Sequence, residues 1–339
     1  MKRKGYLFEE IITFENLYEA FRKAYSGSGR TGETCRFNFN LENELLQLKT
    51  EIETERYKPA RYRYFKIFDP KERQISVAPF RDRVVHHALV RVIEPVFERS
   101  FIFDSYATRV GKGTHRAVER AQKFLRKNFW YLKTDVEKYF DSVDHDILLK
   151  LIRRKIKDEK VIRLTEKIIR NSDRSRDLAH GKGLPVGNLT SQFFANVYLD
   201  PLDHFIKDRL GVKCYIRYMD DMVISSDSKD DLRDLLKIKE TFLAENLELR
   251  LNPKATRLNN CLHGLPFLGF MIFPNLKRIR KENLKRVKKR LRQRKNEFEA
   301  GIITEEQFAM SVRSVFEHVR FADTYRLRRS FLADWAGVE

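Results

Sequence analysis

Residues 214–225 read CYIRYMDDMVIS, with two adjacent aspartates, Asp220 and Asp221, inside an apolar and aromatic run. Like charges side by side repel, and burying either one without a partner is costly. The segment therefore has to place the pair at a turn and bring positive charge to it. A tight hairpin meets the first need, with Cys214–Tyr218 and Met222–Ser225 as flanking strands. A divalent cation meets the second, because Mg²⁺ takes one or two carboxylates and completes its shell with substrate phosphate oxygens. The alternative, an acidic surface turn, is at odds with the apolar residues on both sides.

A second acidic stretch, YLKTDVEKYFDSVDHD, puts Asp135 at the end of a strand-like run. Two metal ions about 3.5–4 Å apart can clamp the attacking and leaving oxygens of a phosphoryl transfer. Their ligands have to converge from separate strands, as Asp135 and the 220–221 pair can. Asp141, Asp144 and Asp146 follow the strand and read as turn and helix-cap residues.

The 339 residues carry 68 Lys+Arg against 48 Asp+Glu, a formal net charge of +20 spread along the chain. That suits a folded surface tracking a polyanion, with nucleic acid ahead of an anionic membrane. Hydrophobic content of 42%, with 26 Phe and 13 Tyr, supplies a core and argues against disorder. No stretch approaches the ~18 apolar residues of a membrane span. MKRKGYLFEE turns acidic too early for a secretory signal. Cys35, Cys214 and Cys261 are far apart and odd in number, which fits reduced thiols in a cytosol. No zinc-type Cys/His spacing occurs. The His86–His87 pair fits a helix with one partly buried ring.

The pattern predicts helices over 6–58 with a break at 26–34, then a hairpin over 60–79 around DPKE. Helices follow at about 81–98 and 115–128, then a stretch over 129–143 that begins as a short buried strand and ends in a turn, and a helix from DHDILLKLIRRKI. A Gly/Pro loop enters a long helix over 183–210. After the YMDD hairpin come a helix over 229–247 and strands in LELRLNPKATRL and PFLGFMIF. This mixture implies an α+β sheet domain. Between 277 and 295 stand 12 basic residues and one acidic one, Glu282. Ile279, Leu284, Val287 and Leu291 give that stretch an apolar helical face. ADTYRLRRSFLADW reads as a further helix. GKGT at 111–114 lacks the upstream glycine of a P-loop, since position 106 is Tyr. It reads as a loop.

RYMDD resembles the signature turn of reverse transcriptases, with Asp135 where their first metal ligand lies. YKPARYRYFKI and RQISVAPFRDRVVHHAL are similar to their fingers segment, and SYATRVGKGTHRAV to the next block. LPVGNLTSQFFANVYL is similar to the block under the incoming nucleotide, and LNPKAT and PFLGFMI to the last two before the thumb. The resemblance covers about residues 57–339. It implies an α+β right-hand polymerase with fingers, a palm built of an antiparallel sheet backed by helices, and an α-helical thumb. The expected division is a helical extension over 1–58, fingers and palm over 59–275 and a basic thumb over 276–339.

Implied with it is DNA synthesis on an RNA template from deoxynucleoside triphosphates, with two Mg²⁺ ions for which Mn²⁺ can substitute. Asp135, Asp220 and Asp221 would bind the metals, with the Val136 backbone adding an oxygen. Lys66 and Arg73 on the hairpin would neutralise the triphosphate. Phe140 would be the ring under the sugar that rejects a 2′-hydroxyl; its alternative is an ordinary core phenylalanine. Tyr218 and Met219 would lie against the primer end. Lys254 is a candidate to protonate the leaving pyrophosphate, with a plain surface lysine as the alternative.

Many relatives carry QGxxxSP where this chain has Val186–Gly187–Asn188–Leu189–Thr190–Ser191–Gln192. Valine and glutamine at the two ends resemble the [ILV]GxxxSQ pattern of diversity-generating retroelement reverse transcriptases. Valine cannot make the hydrogen bonds of an amide, and a lost discriminating bond costs about 1–3 kcal/mol of selectivity. Val186, Gly187 and Gln192 would thus shape the nucleotide site of an error-prone enzyme, with errors opposite template adenines. The resemblance also implies template RNA, an RNA/DNA heteroduplex, a small basic accessory protein and a cytoplasmic setting of bacterial, archaeal or phage origin. The alternatives are a retron, defence-associated or group II intron-like reverse transcriptase, an inactive RNA-binding scaffold, and a two-metal nuclease.

Overall fold

The computed structural model describes residues 3–29, 31–68, 72–171 and 180–329. The turn of the hairpin expected around DPKE and the end of the last expected helix lie partly outside these residues. In chain order the first elements are α1 (Phe8–Ile11), α2 (Phe14–Ser26), α3 (Gly32–Phe39), α4 (Leu41–Glu53), β1 (Arg63–Ile67), β2 (Arg73–Val77) and α5 (Phe80–Glu98). Next come α6 (Thr114–Leu125), β3 (Trp130–Thr134), α7 (Tyr139–Ser142), α8 (His145–Arg153), α9 (Glu159–Arg170) and α10 (Leu189–His204). A π-helical turn (Phe205–Arg209) leads to β4 (Tyr215–Tyr218), β5 (Asp221–Ser226), α11 (Lys229–Leu247) and β6 (Arg257–Asn260). The last are β7 (Leu265–Phe267), β8 (Phe270–Ile272), β9 (Lys277–Ile279), α12 (Lys281–Glu299) and α13 (Glu305–Arg320). All strand pairings within the sheets are antiparallel. The α+β class expected from the sequence is the observed one.

The chain forms two compact units, each built from three segments. The first holds residues 1–109, 136–212 and 237–252. Its core is two central helices, α5 and α10. α10 buries residues all round, from Thr190 and Phe193 to Tyr198 and Leu202, as a helix apolar on every face must. α2 is capped by Thr13, whose hydroxyl accepts from the Asn16 amide at 3.2 Å, and lays Leu17, Ala20 and Phe21 inward. Phe21, Phe37 and Phe80 cluster with centroids 5.1–6.0 Å apart. The Tyr57 hydroxyl and the Ala60 amide donate to the two oxygens of Asp82, at 2.7 and 2.9 Å. This buried carboxylate ties the chain leaving α4 to the start of α5 and so sets where the β1–β2 ribbon begins.

The same unit carries an ion network at the end of α10. Lys155 pairs with Asp200 at 2.9 Å, and His204 lies 3.4 Å from Asp200 and 2.6 Å from Asp208. The two carboxylates, Asp200 first, hold the imidazole charged and push its pKa up to about 9 against its burial.

The second unit holds residues 110–135, 213–236 and 253–339. Its main sheet runs β4-β5-β3-β6, and a smaller one runs β7-β8-β9. The Tyr131 hydroxyl donates to the Gly264 carbonyl at 3.0 Å, joining β3 to the chain entering β7. His115, at the start of α6, stacks on Phe321 at 3.9 Å. Lys277 and Asp323 are latched: the Lys277 amide donates to the Asp323 carboxylate at 2.7 Å and the Asp323 amide to the Lys277 carbonyl at 2.9 Å. α12 buries only Leu291 and leaves Lys281, Lys285, Arg286, Lys288, Lys289, Arg290 and Arg292 exposed.

Three expectations are corrected, and one helix is new. Ile279 lies on β9, not on the basic helix, because pairing with Phe270 extends the chain until Arg280. LELRLNPKATRL is a strand only from Arg257, since Pro253 has no amide to donate to a ladder. The second strand of the YMDD hairpin begins at Asp221 itself. α9, with Val161, Ile162, Ile168 and Ile169 inward, was not anticipated.

A group whose folded pKa is raised stabilises fully below its unfolded pKa and loses that contribution as pH rises through the folded value. For His204 the window runs from about 6.5 to about 9. The melting temperature should fall across it, and His204→Gln should flatten that part of the curve in thermal unfolding from pH 6 to 9.5.

Candidate active site

The second unit brings the three aspartates together. β3 pairs with β5 so that Thr134 faces Met222; one further step in that register sets Asp135 beside Asp221. β4 pairs with β5 so that Tyr218 faces Asp221, leaving Met219 and Asp220 as a two-residue hairpin loop. Such loops need positive φ at their first position, and Met219 has φ 54°. A side chain there costs on the order of 1 kcal/mol. Arg217, fully buried behind the loop, offsets this by donating to the Met219 carbonyl at 3.2 Å. Tyr218 is held by the Thr114 hydroxyl, which donates to its oxygen at 3.3 Å.

Asp135 and Asp220 share a side-chain hydrogen bond. Burial, then the charge of Asp135, pushes the Asp220 pKa up to about 7. Asp221 is pushed up to about 6 by burial, opposed by Lys133, whose ammonium lies 2.7 Å from its carboxylate. All three keep an edge open to solvent although protein packs round them. In this arrangement burial and the neighbouring Asp135 make a charge on Asp220 costly, while a lysine answers Asp221.

Among the described residues no set of three or more His, Cys, Asp or Glu side chains stands arranged as a metal site. The donors nonetheless fit a divalent ion. Two carboxylates close enough to share a proton are the pair that hard cations replace protons on, and Mg²⁺ needs no more from the protein.

The residues expected to contact nucleotide stand in the first unit, apart from Tyr218, Met219 and Lys254. Phe140 lies on α7, half-buried beside Tyr139 at 5.7 Å, and its carbonyl accepts from the Leu184 amide at 2.6 Å. Val186 follows; its carbonyl accepts from Ser76 of β2 at 2.8 Å, and the Asn188 amide group donates to the Ser76 carbonyl at 3.4 Å. Between them Gly187 has φ 111°, and a Cβ there would come within 2.9 Å of Ile75. Glycine lets this loop lie against the β1–β2 ribbon that bears Lys66 and Arg73.

The register sets Lys66 opposite Gln74 and Arg73 opposite Ile67, on opposite faces of the ribbon. Lys66 pairs with Glu72 at 2.7 Å. Gln192 stands half-buried in the first turn of α10. The buried Val136 bridges to Leu251. Lys254 is exposed on a turn of the second unit. Asp144 caps α8 through the amides of Asp146 and Ile147, and Asp146 pairs with Arg170 at 2.7 Å. Lys133, Arg217 and Ser76 had not been singled out from sequence. The signal for the first two was a cation alternating with apolar residues in a strand that is otherwise buried.

A family model described as reverse transcriptase (RNA-dependent DNA polymerase) matches residues 67–272, more than half of the chain. The chain belongs to the reverse transcriptase family. It is 27% identical over 270 residues to protein YkfC of Escherichia coli, covering 68% of this chain and 71% of that one. It is 27% identical over 200 residues to the group II intron-encoded protein LtrA of Lactococcus lactis, covering 58% of this chain but only 33% of LtrA. Among solved structures it resembles telomerase from Candida albicans, with a TM-score of 0.49, 12% identity, and coverage of 68% of this chain and 46% of that one. No helix among the described residues of this reverse transcriptase is long and apolar enough to cross a membrane.

A carboxyl whose folded pKa is raised destabilises the fold as pH rises from its unfolded value, near 4, through the folded one, near 7. Metal-free Asp220→Asn should therefore gain stability over wild type at pH 8, on the order of 1 kcal/mol or more. The gain should shrink toward pH 5 and disappear on adding divalent cation to the wild type. Denaturant unfolding at both pH values measures it.

Proposed function

We propose that this reverse transcriptase extends a DNA primer on an RNA template, with Asp135, Asp220 and Asp221 at the reacting centre. The observation that carries this is the meeting of these carboxylates at one end of an antiparallel sheet, in a chain of this family. Mg²⁺, held by Asp135 and Asp220 with the Val136 carbonyl and Asp221 near them, would supply charge neutralisation at the attacking and leaving oxygens. Mn²⁺ would serve in its place. The chain's own residues then position and select. Tyr218 and Met219 seat the primer end. Lys66 and Arg73, reaching from the two faces of the ribbon, grip the triphosphate. Phe140 lies under the sugar and excludes a 2′-hydroxyl. Lys254 delivers a proton to the leaving pyrophosphate.

In this reading residues 59–275 are fingers and palm, 276–339 a thumb, and 1–58 a helical extension. The exposed cations of α12 hold the heteroduplex through its phosphates, so binding weakens steeply with salt. Val186 and Gln192 support the narrower assignment to a diversity-generating retroelement, with adenine-directed errors and a small basic accessory protein. The intron-encoded relative LtrA favours a second reading, a group II intron-like reverse transcriptase.

Primer extension on an RNA template should require divalent cation. Asp135→Asn and Asp220→Asn should each lower it by a hundredfold or more while the proteins remain folded by circular dichroism; undiminished extension would remove the proposed centre. Val186→Gln tests the narrower assignment by sequencing the cDNA. Misincorporation opposite adenine should drop about tenfold, in line with one discriminating hydrogen bond. An unchanged error spectrum would favour the group II-like reading.

A further inference from the structure

Lys133 occupies an unusual place. It is the one charged residue of β3, an inner strand of the main sheet, and its neighbours across the ladder are Val223 on β5 and Arg257 on β6. Like charges on adjacent strands destabilise a sheet. An ammonium 16% exposed, beside another cation, persists only if an anion answers it. That anion is Asp221, 20% exposed and 2.7 Å away. The positive field of Arg280 reaches the same carboxylate. Asp221 is thus occupied from within the protein, whereas Asp135 and Asp220 turn toward each other.

We propose that Lys133 is a positioning residue that competes with the divalent cation for Asp221. It holds that carboxylate as an ion-pair partner, restricts the cation ligands to Asp135 and Asp220, and raises the cation concentration at which the site fills. The inference rests on the reading of those two aspartates as cation ligands. It adds an internal counter-charge that sets how tightly they bind. A fixed positive charge within a few ångströms of the site opposes any added cation, and its removal frees a third carboxylate.

The test is Mn²⁺ binding to the full metal-free chain, followed by electron paramagnetic resonance of the free ion. Lys133→Met should bind Mn²⁺ about tenfold more tightly than wild type, a gain that structural damage would not produce. Lys133→Arg, which keeps the charge, should bind like wild type. Against an Asp221→Asn background the gain from Lys133→Met should shrink, because only the relief of charge repulsion then remains. Equal or weaker binding by Lys133→Met overturns the proposal, as does a gain undiminished in the double variant. A parallel Asp220→Asn sample separates the two levels. If it binds Mn²⁺ as wild type does, the cation site itself is misassigned. If it loses binding while Lys133→Met shows no gain, only the role of the lysine is wrong.

Discussion

The crowding of negative charge where β3 meets the β4–β5 hairpin is the constraint that organises the second unit. Asp135 and Asp220 lie close enough to share a hydrogen bond, with Asp221 at their side. Ionised and unpartnered, the three would repel by an amount comparable with the whole stability of a domain, about 5–15 kcal/mol. Neighbouring features answer that repulsion. Lys133 answers Asp221, Arg217 stands buried behind the turn, and the open edge toward solvent admits a proton or an ion. A site that tolerates three carboxylates only by borrowing positive charge is prepared for a substrate that arrives with cations.

The strained backbone at Met219 fits the same picture. A hairpin through glycine would relax the turn at no steric cost, but its loop would carry no side chain. With methionine at φ 54°, the loop presents an apolar side chain next to Asp220 and relies on Arg217 to hold the carbonyl. In the first unit the corresponding concession runs the other way. Gly187 gives up its side chain so that the loop before α10 can lie against Ile75 and Ser76. One unit uses strain to present side chains. The other uses a missing side chain to bring two backbones together, and with them the ribbon of Lys66 and Arg73 and the loop of Val186.

Much of this was legible in the sequence because it follows from period and punctuation. The apolar run broken by Asp220–Asp221 specified a hairpin, and the strand-like WYLKT specified where Asp135 would emerge. Val186 to Gln192 announced a loop entering a buried helix. What was not legible depends on register and on contacts distant in sequence. The pairing of Thr134 with Met222, which sets Asp135 beside Asp221, is a property of three strands together. Lys133 and Arg217 acquire their partners only when the sheet closes round them. The start of the basic stretch was misjudged at Ile279 because helical spacing and a short strand are indistinguishable over three residues, and only the partner Phe270 decides. The opposite faces of Lys66 and Arg73 likewise depend on a register that sequence spacing alone leaves open.

The central claim is that Asp135 and Asp220 are a cation site. Anomalous diffraction from a crystal of the full chain equilibrated with Mn²⁺ addresses it directly. The account predicts a Mn²⁺ peak at those two carboxylates. A crystal in which Mn²⁺ is bound elsewhere, while Asp135 and Asp220 still hydrogen-bond to each other, would contradict it.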